Sequence, residues 1–229
     1  MIDETKMTLA VDWDFRDLTG WQWSEKLDGC RAYWDGTRFW TRHGNIIPSP
    51  QWFTQRLPAA QLDGEIWAGR GQFEVARLAV QFGRFTRSIR FAVFDMPDAR
   101  GDWLQRMAAA RLAIGENRFV FGVETGTVKH AAEPSAIAAN IIADGGEGAI
   151  FRNPGVKEYQ RKRTVNLARV KAANLRPRWY GMKPRRETIP AAPVIGLDVS
   201  QFPFDPEIEW NIAAILGECD YSELSKPIN

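Results

Sequence analysis

Lys26-Leu-Asp28-Gly29-Cys-Arg31 is the stretch whose residue types and spacing say most about chemistry. The lysine ends a strand-like run, Trp21 to Leu27, and an Asp-Gly turn follows at once. A lysine so placed projects from a rigid element into whatever cavity the turn borders. Its amine is a nucleophile only when deprotonated, and the reference pKa is about 10.4. Neighbouring cations, a metal ion or desolvation bring that value down. Arg31 and the cations further along supply positive potential of this kind. The bland reading of the same residues is a surface lysine beside a turn.

Charge is the second signal. Residues 161–186 hold ten Lys or Arg and no acid, whereas residues 187–229 hold eight acids and one base, Lys226. The last segment is therefore −7 and residues 1–186 are +9, within a chain whose formal net charge is only +2. A basic face suits a polyanion such as nucleic acid, although the run also reads as a solvated loop.

The elements that must hold these groups can be read from pattern. Arg31–Trp34 and Thr37–Arg42 flank Asp35-Gly36, a strong hairpin signal. Ser49-Pro50 predicts a short helix with Ser49 as its cap and Pro50 at the first helical position. Gln61–Trp67 reads as a strand interrupted by Asp63-Gly64, which taken alone is a turn. Phe73–Phe82 has helical spacing, and Ile89–Asp95 reads as a buried strand. Asp102–Ile114 and Pro134–Ala143 read as helices, the second closed by Gly145-Gly146. Gly148–Arg152 and Val165–Lys171 read as strands. The fold class expected is α+β, with antiparallel sheets and flanking helices. In 229 residues with 45% hydrophobic and 25% charged composition, there is enough apolar surface for a core, which excludes a wholly disordered chain. No apolar run is long enough for a membrane span. Asp3, Glu4, Asp12 and Asp14 occupy the N-terminal stretch without an apolar centre, so no secretory leader is expected. Two cysteines, Cys30 and Cys219, cannot build a disulfide framework. A cytoplasmic protein with no membrane partner is the expectation. His43 and His130 read as surface or structural residues.

From Trp21 to Lys171 the chain resembles the ATP-dependent DNA ligases, especially the minimal forms of bacteria and their viruses. It resembles RNA ligases and mRNA capping enzymes more loosely. Lys26-x-Asp28-Gly29-x-Arg31 looks like the nucleotidyltransferase signature of that superfamily. Thr41-Arg42-His-Gly44, Asp63-Gly64-Glu65, Phe91-Ala-Val-Phe94-Asp95, Glu147-Gly148-Ala-Ile-Phe-Arg152 and Arg169-Val-Lys171 follow in the family's order. The resemblance implies a nucleotidyltransferase (adenylation) core over residues 1–174 and a basic, then acidic, proline-rich appendage over 175–229. It implies Lys26 as the nucleophile that takes AMP from ATP, with Arg169 and Lys171 at the α-phosphate. Glu147 and Glu65 are the expected carboxylates for Mg²⁺ or Mn²⁺, and Glu65 is also suited to a ribose hydroxyl. Phe94 is expected to stack on adenine. Backbone groups near Glu25 and Lys26 would select that base, and Arg31 and Arg42 would contact the nucleotide or a 5′-phosphate. The implied reaction seals nicks in duplex DNA, as in DNA replication, repair and recombination. The alternatives are an RNA ligase, a GTP-using capping-type enzyme, or a nick-binding protein that has lost self-adenylation.

Two departures from the pattern stand out. Arg169 replaces a lysine, and arginine is a fixed fork rather than an adaptable point charge. After Lys171 only 58 residues remain, rich in proline and without five-strand alternation, so a complete OB-fold is not expected. Self-adenylation is the step this absence threatens, and a partner protein supplying the clamp is one way to restore it. The segment Arg176–Arg186, with Trp179 and Tyr180 among its cations, could itself serve as a DNA clamp.

Overall fold

The computed structural model describes residues 7–175, and two sheets frame it. The first has five strands in the order β1 (Leu9–Asp12), β11 (Arg163–Lys171), β10 (Gly148–Arg152), β2 (Gln22–Lys26) and β9 (Gly126–Thr127). The second has six, in the order β5 (Ile46–Ile47), β4 (Phe39–Thr41), β3 (Cys30–Trp34), β6 (Leu62–Trp67), β7 (Arg90–Asp95) and β8 (Val120–Gly122). Four helices flank them: α1 (Gln51–Thr54), α2 (Phe73–Phe82), α3 (Trp103–Ile114) and α4 (Glu133–Ala143). Ile208–Leu216, which reads in the sequence as a plausible helix, the clamp segment Arg176–Arg186 and the question of an OB-fold all lie outside the described residues. No helix among the described residues is long and apolar enough to cross a membrane.

The architecture is α+β, with one correction to the expected antiparallel sheets. β1 runs parallel to β11, and β8 runs parallel to β7. Parallel neighbours need a long return, which α3 provides between β7 and β8. The Asp35-Gly36 hairpin forms, with Trp34 opposite Phe39. The Asp28-Gly29 turn does something a hairpin turn does not: it carries the chain from the first sheet to the second. A Cβ at Gly29 would sit 2.4 Å from the Ile66 carbonyl oxygen, so only glycine lets the turn press against β6.

Asp63-Gly64 is not a turn. β6 runs straight through it, and pairing with β7 shifts register between the two residues. The glycine is needed for packing, because a Cβ there would lie 2.6 Å from the Phe91 ring. Ser49 is not the cap of α1 either. Pro50 occupies that position in an extended conformation, and the Ser49 hydroxyl donates to the Ile47 carbonyl at 3.0 Å. α3 starts on a reciprocal cap: Asp102 accepts from the Gln105 backbone N–H at 3.0 Å, and the Gln105 side chain accepts from that of Asp102 at 2.9 Å. α4 starts one residue before Pro134.

Strand alternation divides each sheet into an apolar face and a polar one. Ala32, Trp34, Leu62, Ile66, Phe91 and Val93 of the second sheet pack with α1 and α2 residues in the largest core. Ala149, Phe151, Ala168 and Val170 of the first sheet pack beneath α4. The remaining faces line a cavity of about 600 Å³, with Lys26, Arg31, Glu65, Phe94 and Arg169 in its wall.

Candidate active site

Register in the first sheet places Lys26 opposite Gly148, and Gly148 opposite Lys171. One row across three strands therefore carries two lysines separated by a glycine. A Cβ at Gly148 would lie 2.0 Å from the Val170 carbonyl oxygen, so the row closes only with glycine at its centre. Glu147, one residue earlier, reaches both cations: Lys26 Nζ donates to its Oε2 and Lys171 Nζ pairs with its Oε1. Burial works against ionising the Glu147 carboxyl, but the Lys171 and Lys26 ammonium groups win and hold it below the usual carboxylate range.

Across the cavity, Glu65 stands on β6. Burial pushes its carboxyl up to about 7; Lys26 and Arg31 oppose the rise, and Asp63 and Glu147 add to it. These two carboxylates are the expected metal-binding pair. No group of three or more His, Cys, Asp or Glu suited to a metal occurs among the described residues. Two carboxylates with hard oxygens are the donor type that suits Mg²⁺ shared with substrate phosphates.

The other expected residues divide by what engages them. Arg31 is committed to Asp63, with Nε–Oδ1 at 3.0 Å and Nη2–Oδ2 at 2.5 Å, and it also donates to the Thr8 carbonyl at 2.8 Å. Asp63 is fully buried and accepts a further hydrogen bond from Tyr159 at 2.5 Å. Burial opposes the Arg31 charge, but Asp63 more than compensates and raises its pKa. Arg169 is likewise held by a carboxylate, Asp12 on the parallel neighbour strand, at 2.7 Å from Nε. Arg42 is exposed beside His43 at the cavity's edge. Phe94 is half-buried against the Arg31 guanidinium, 5.2 Å from the ring centroid. The Glu25 carboxylate takes a bidentate contact from Arg70, at 2.9 and 2.8 Å, and Arg70 also donates to the Asp144 carbonyl at 3.1 Å. That clasp ties β6's following loop to β2 and to the end of α4.

Sequence reading missed Asp12, Arg70 and Tyr159, because nothing local marks them as partners of residues some 45 to 157 positions away. Arg152 carried a signal, as the cation closing the Glu147–Arg152 run. It lies buried in the cavity wall, its Nη1 donating to Ser24 Oγ at 2.9 Å and its guanidinium 4.1 Å from the Trp103 ring centroid. Burial pulls its pKa down to about 10. Arg106 behind it makes a buried bidentate pair with Asp95, at 2.7 and 3.0 Å.

A lysine fixed by a carboxylate, a second lysine on the same carboxylate, and an acid and an aromatic across a nucleotide-sized cavity together suit phosphoryl or nucleotidyl transfer. The comparisons with known proteins agree. No family model matches the chain. A DNA ligase of Haemophilus influenzae is 32% identical over 171 residues, covering 73% of this chain and 63% of the relative. The chain thus spans less than two thirds of that relative's length. A solved structure from work on Lig E DNA ligases and DNA binding with a minimal scaffold is 31% identical, with a TM-score of 0.67 over 75% of this chain and 69% of its own. The adenylate of Chlorella virus DNA ligase shares the fold at 21% identity and a TM-score of 0.63, over 75% of this chain and 68% of its own.

Proposed function

The chain belongs to the DNA ligase family, and from that premise we propose that it seals nicks in duplex DNA through an AMP group carried on Lys26, with ATP as donor. The observation that carries the reading is the grip of Glu147 on both Lys26 and Lys171, with Lys26 at the cavity wall.

In the first step the Lys26 nitrogen forms a bond to the α-phosphorus, and the bond to pyrophosphate breaks. Before that, Lys26 must lose a proton. An arriving triphosphate competes with Glu147 for both ammonium groups. As Lys26 is released from the carboxylate, its proton leaves to water and the free amine turns to the α-phosphorus. Lys171 takes over the α-phosphate charge. Arg31 acts through Asp63, keeping β3 and β6 in register beside Glu65. Phe94 offers a face for the base, and Glu65 an oxygen for the ribose. Mg²⁺, when bound by Glu147 and Glu65, supplies Lewis-acid stabilisation of the phosphates. AMP then passes from Lys26 to the 5′-phosphate of the nick, and the 3′-hydroxyl displaces it, restoring a phosphodiester.

The test is direct. Incubation with ATP and Mg²⁺ should add the mass of one AMP to the Lys26 peptide, and the chain should seal a nicked duplex. Parallel reactions with GTP and with nicked RNA separate a DNA ligase from a capping-type enzyme or an RNA ligase. A Lys26→Ala chain that still seals ATP-dependently overturns the proposal. A pre-adenylated nick tests the last step alone.

A further inference from the structure

Away from the cavity, four arginines gather. Arg84, Arg87 and Arg90 follow α2, and Arg118 precedes β8. Arg87 lies 4.2 Å from the Trp52 ring centroid and 5.7 Å from that of Phe119. Arg90 and Arg118 each lie 5.6 Å from the same Phe119 ring, and Arg84 lies 5.7 Å from Phe82. Three guanidinium carbons thus converge on one ring, and any two of them are within about twice that radius, ~11 Å. This is on the order of the Debye length at physiological salt, so they repel one another.

Several other arginines are neutralised within the fold. Arg31, Arg70, Arg77, Arg106 and Arg169 each grip a carboxylate. None of Arg84, Arg87, Arg90 and Arg118 joins an ion pair among the described residues. Arg84, Arg87 and Arg118 are exposed, and Arg90 donates only to backbone carbonyls. Aromatic faces hold these guanidinium planes in place while leaving N–H edges for an outside acceptor. Such a cluster matches closely spaced phosphates.

Its position matters. Phe119 accepts the Phe91 backbone N–H at the start of β7, while Phe94 and Asp95 at the other end of β7 line the cavity. A six-residue strand rises ~17 Å between its ends. Along duplex DNA that is about five base pairs at 3.4 Å each. We infer that these four arginines form a second contact with the phosphate backbone of duplex DNA, about five base pairs from a nick lying over the cavity. The inference rests on the ligase reading.

The experiment uses the full chain and nicked duplexes with hairpin-capped arms of about four or about twelve base pairs on either side of the nick. Wild type should bind and seal the long-armed substrate better on one side. Arg87→Ala with Arg118→Ala should remove that advantage, weaken long-arm binding about tenfold and reduce the slope of log affinity against log salt by about 2. AMP transfer to Lys26, which needs no DNA, should be unchanged and serves as the check on folding. Wild-type arm dependence and salt slope in the variant overturn the inference, as does an equal loss on short arms. Tighter binding by the variant overturns it as well. A wild type that neither accepts AMP nor seals any substrate instead defeats the ligase reading, and this surface with it.

Discussion

Replacing Asp63 by alanine separates two roles for Arg31, contact with nucleotide and support of the site. The Asp63 side chain is fully buried, and that of Arg31 is 19% exposed. Removing the carboxylate strands a guanidinium that makes two hydrogen bonds to it, and it also leaves Tyr159 without an acceptor. Breaking a buried pair from one side costs about 3–5 kcal/mol. In a chain of this size each kcal/mol shifts the melting temperature by roughly 2–4 °C, so Asp63→Ala should melt roughly 6–20 °C lower. Arg31→Met leaves the opposite orphan and should lose a similar amount. The double variant removes both charges and should recover much of the loss, with a coupling of at least about 2 kcal/mol in a denaturant-unfolding cycle. AMP transfer to Lys26, assayed well below the melting temperature, should fall far less in the double variant than in Lys26→Ala. Additive losses, or an Asp63→Ala chain melting within about 2 °C of wild type, would show that the pair does not support the site. An Arg31→Met chain that folds as well as wild type yet accepts no AMP would restore a direct nucleotide contact.

Further outcomes follow from the same geometry. Glu147→Gln keeps the shape but removes the charge held between Lys26 and Lys171, and AMP transfer should drop at least about 100-fold while folding changes little. Burial raises the Cys30 thiol from 9.0 to about 11, with Glu65 adding to the rise. In a Cys219→Ser chain at pH 8, Cys30 should therefore react with maleimide about 100-fold more slowly than a peptide thiol. Because the folded value lies above the unfolded one, the neutral thiol's contribution to stability is present below pH 9 and declines as pH rises towards 11. A Cys30→Ser chain should lack that decline. Asp102→Ala removes the reciprocal cap of α3 and should cost about 1 kcal/mol in unfolding measurements, leaving AMP transfer intact.

How much was legible beforehand varies by element. Phe73–Phe82 is helical over the range its spacing marked, since its apolar positions repeat at the helical period. Asp63-Gly64 misled, because an Asp-Gly pair has the same local chemistry in a turn as in a strand. The ring of Phe91 and the Ala92 carbonyl, 27 and 28 residues away, are what require a glycine there. β1 and β9 were invisible, since strands this short are stabilised by neighbours rather than by their own pattern. The sequence by itself determined which side chains could do chemistry, because a nucleophile, its cations and its carboxylates are residue types in order along the chain. Only the tertiary structure decided which of those charges face substrate and which are spent on one another. Lys26 and Lys171 share Glu147, whereas Arg31 and Arg169 are taken by Asp63 and Asp12, since a buried or crowded charge must find its partner in space, across sheets whose register no local pattern encodes.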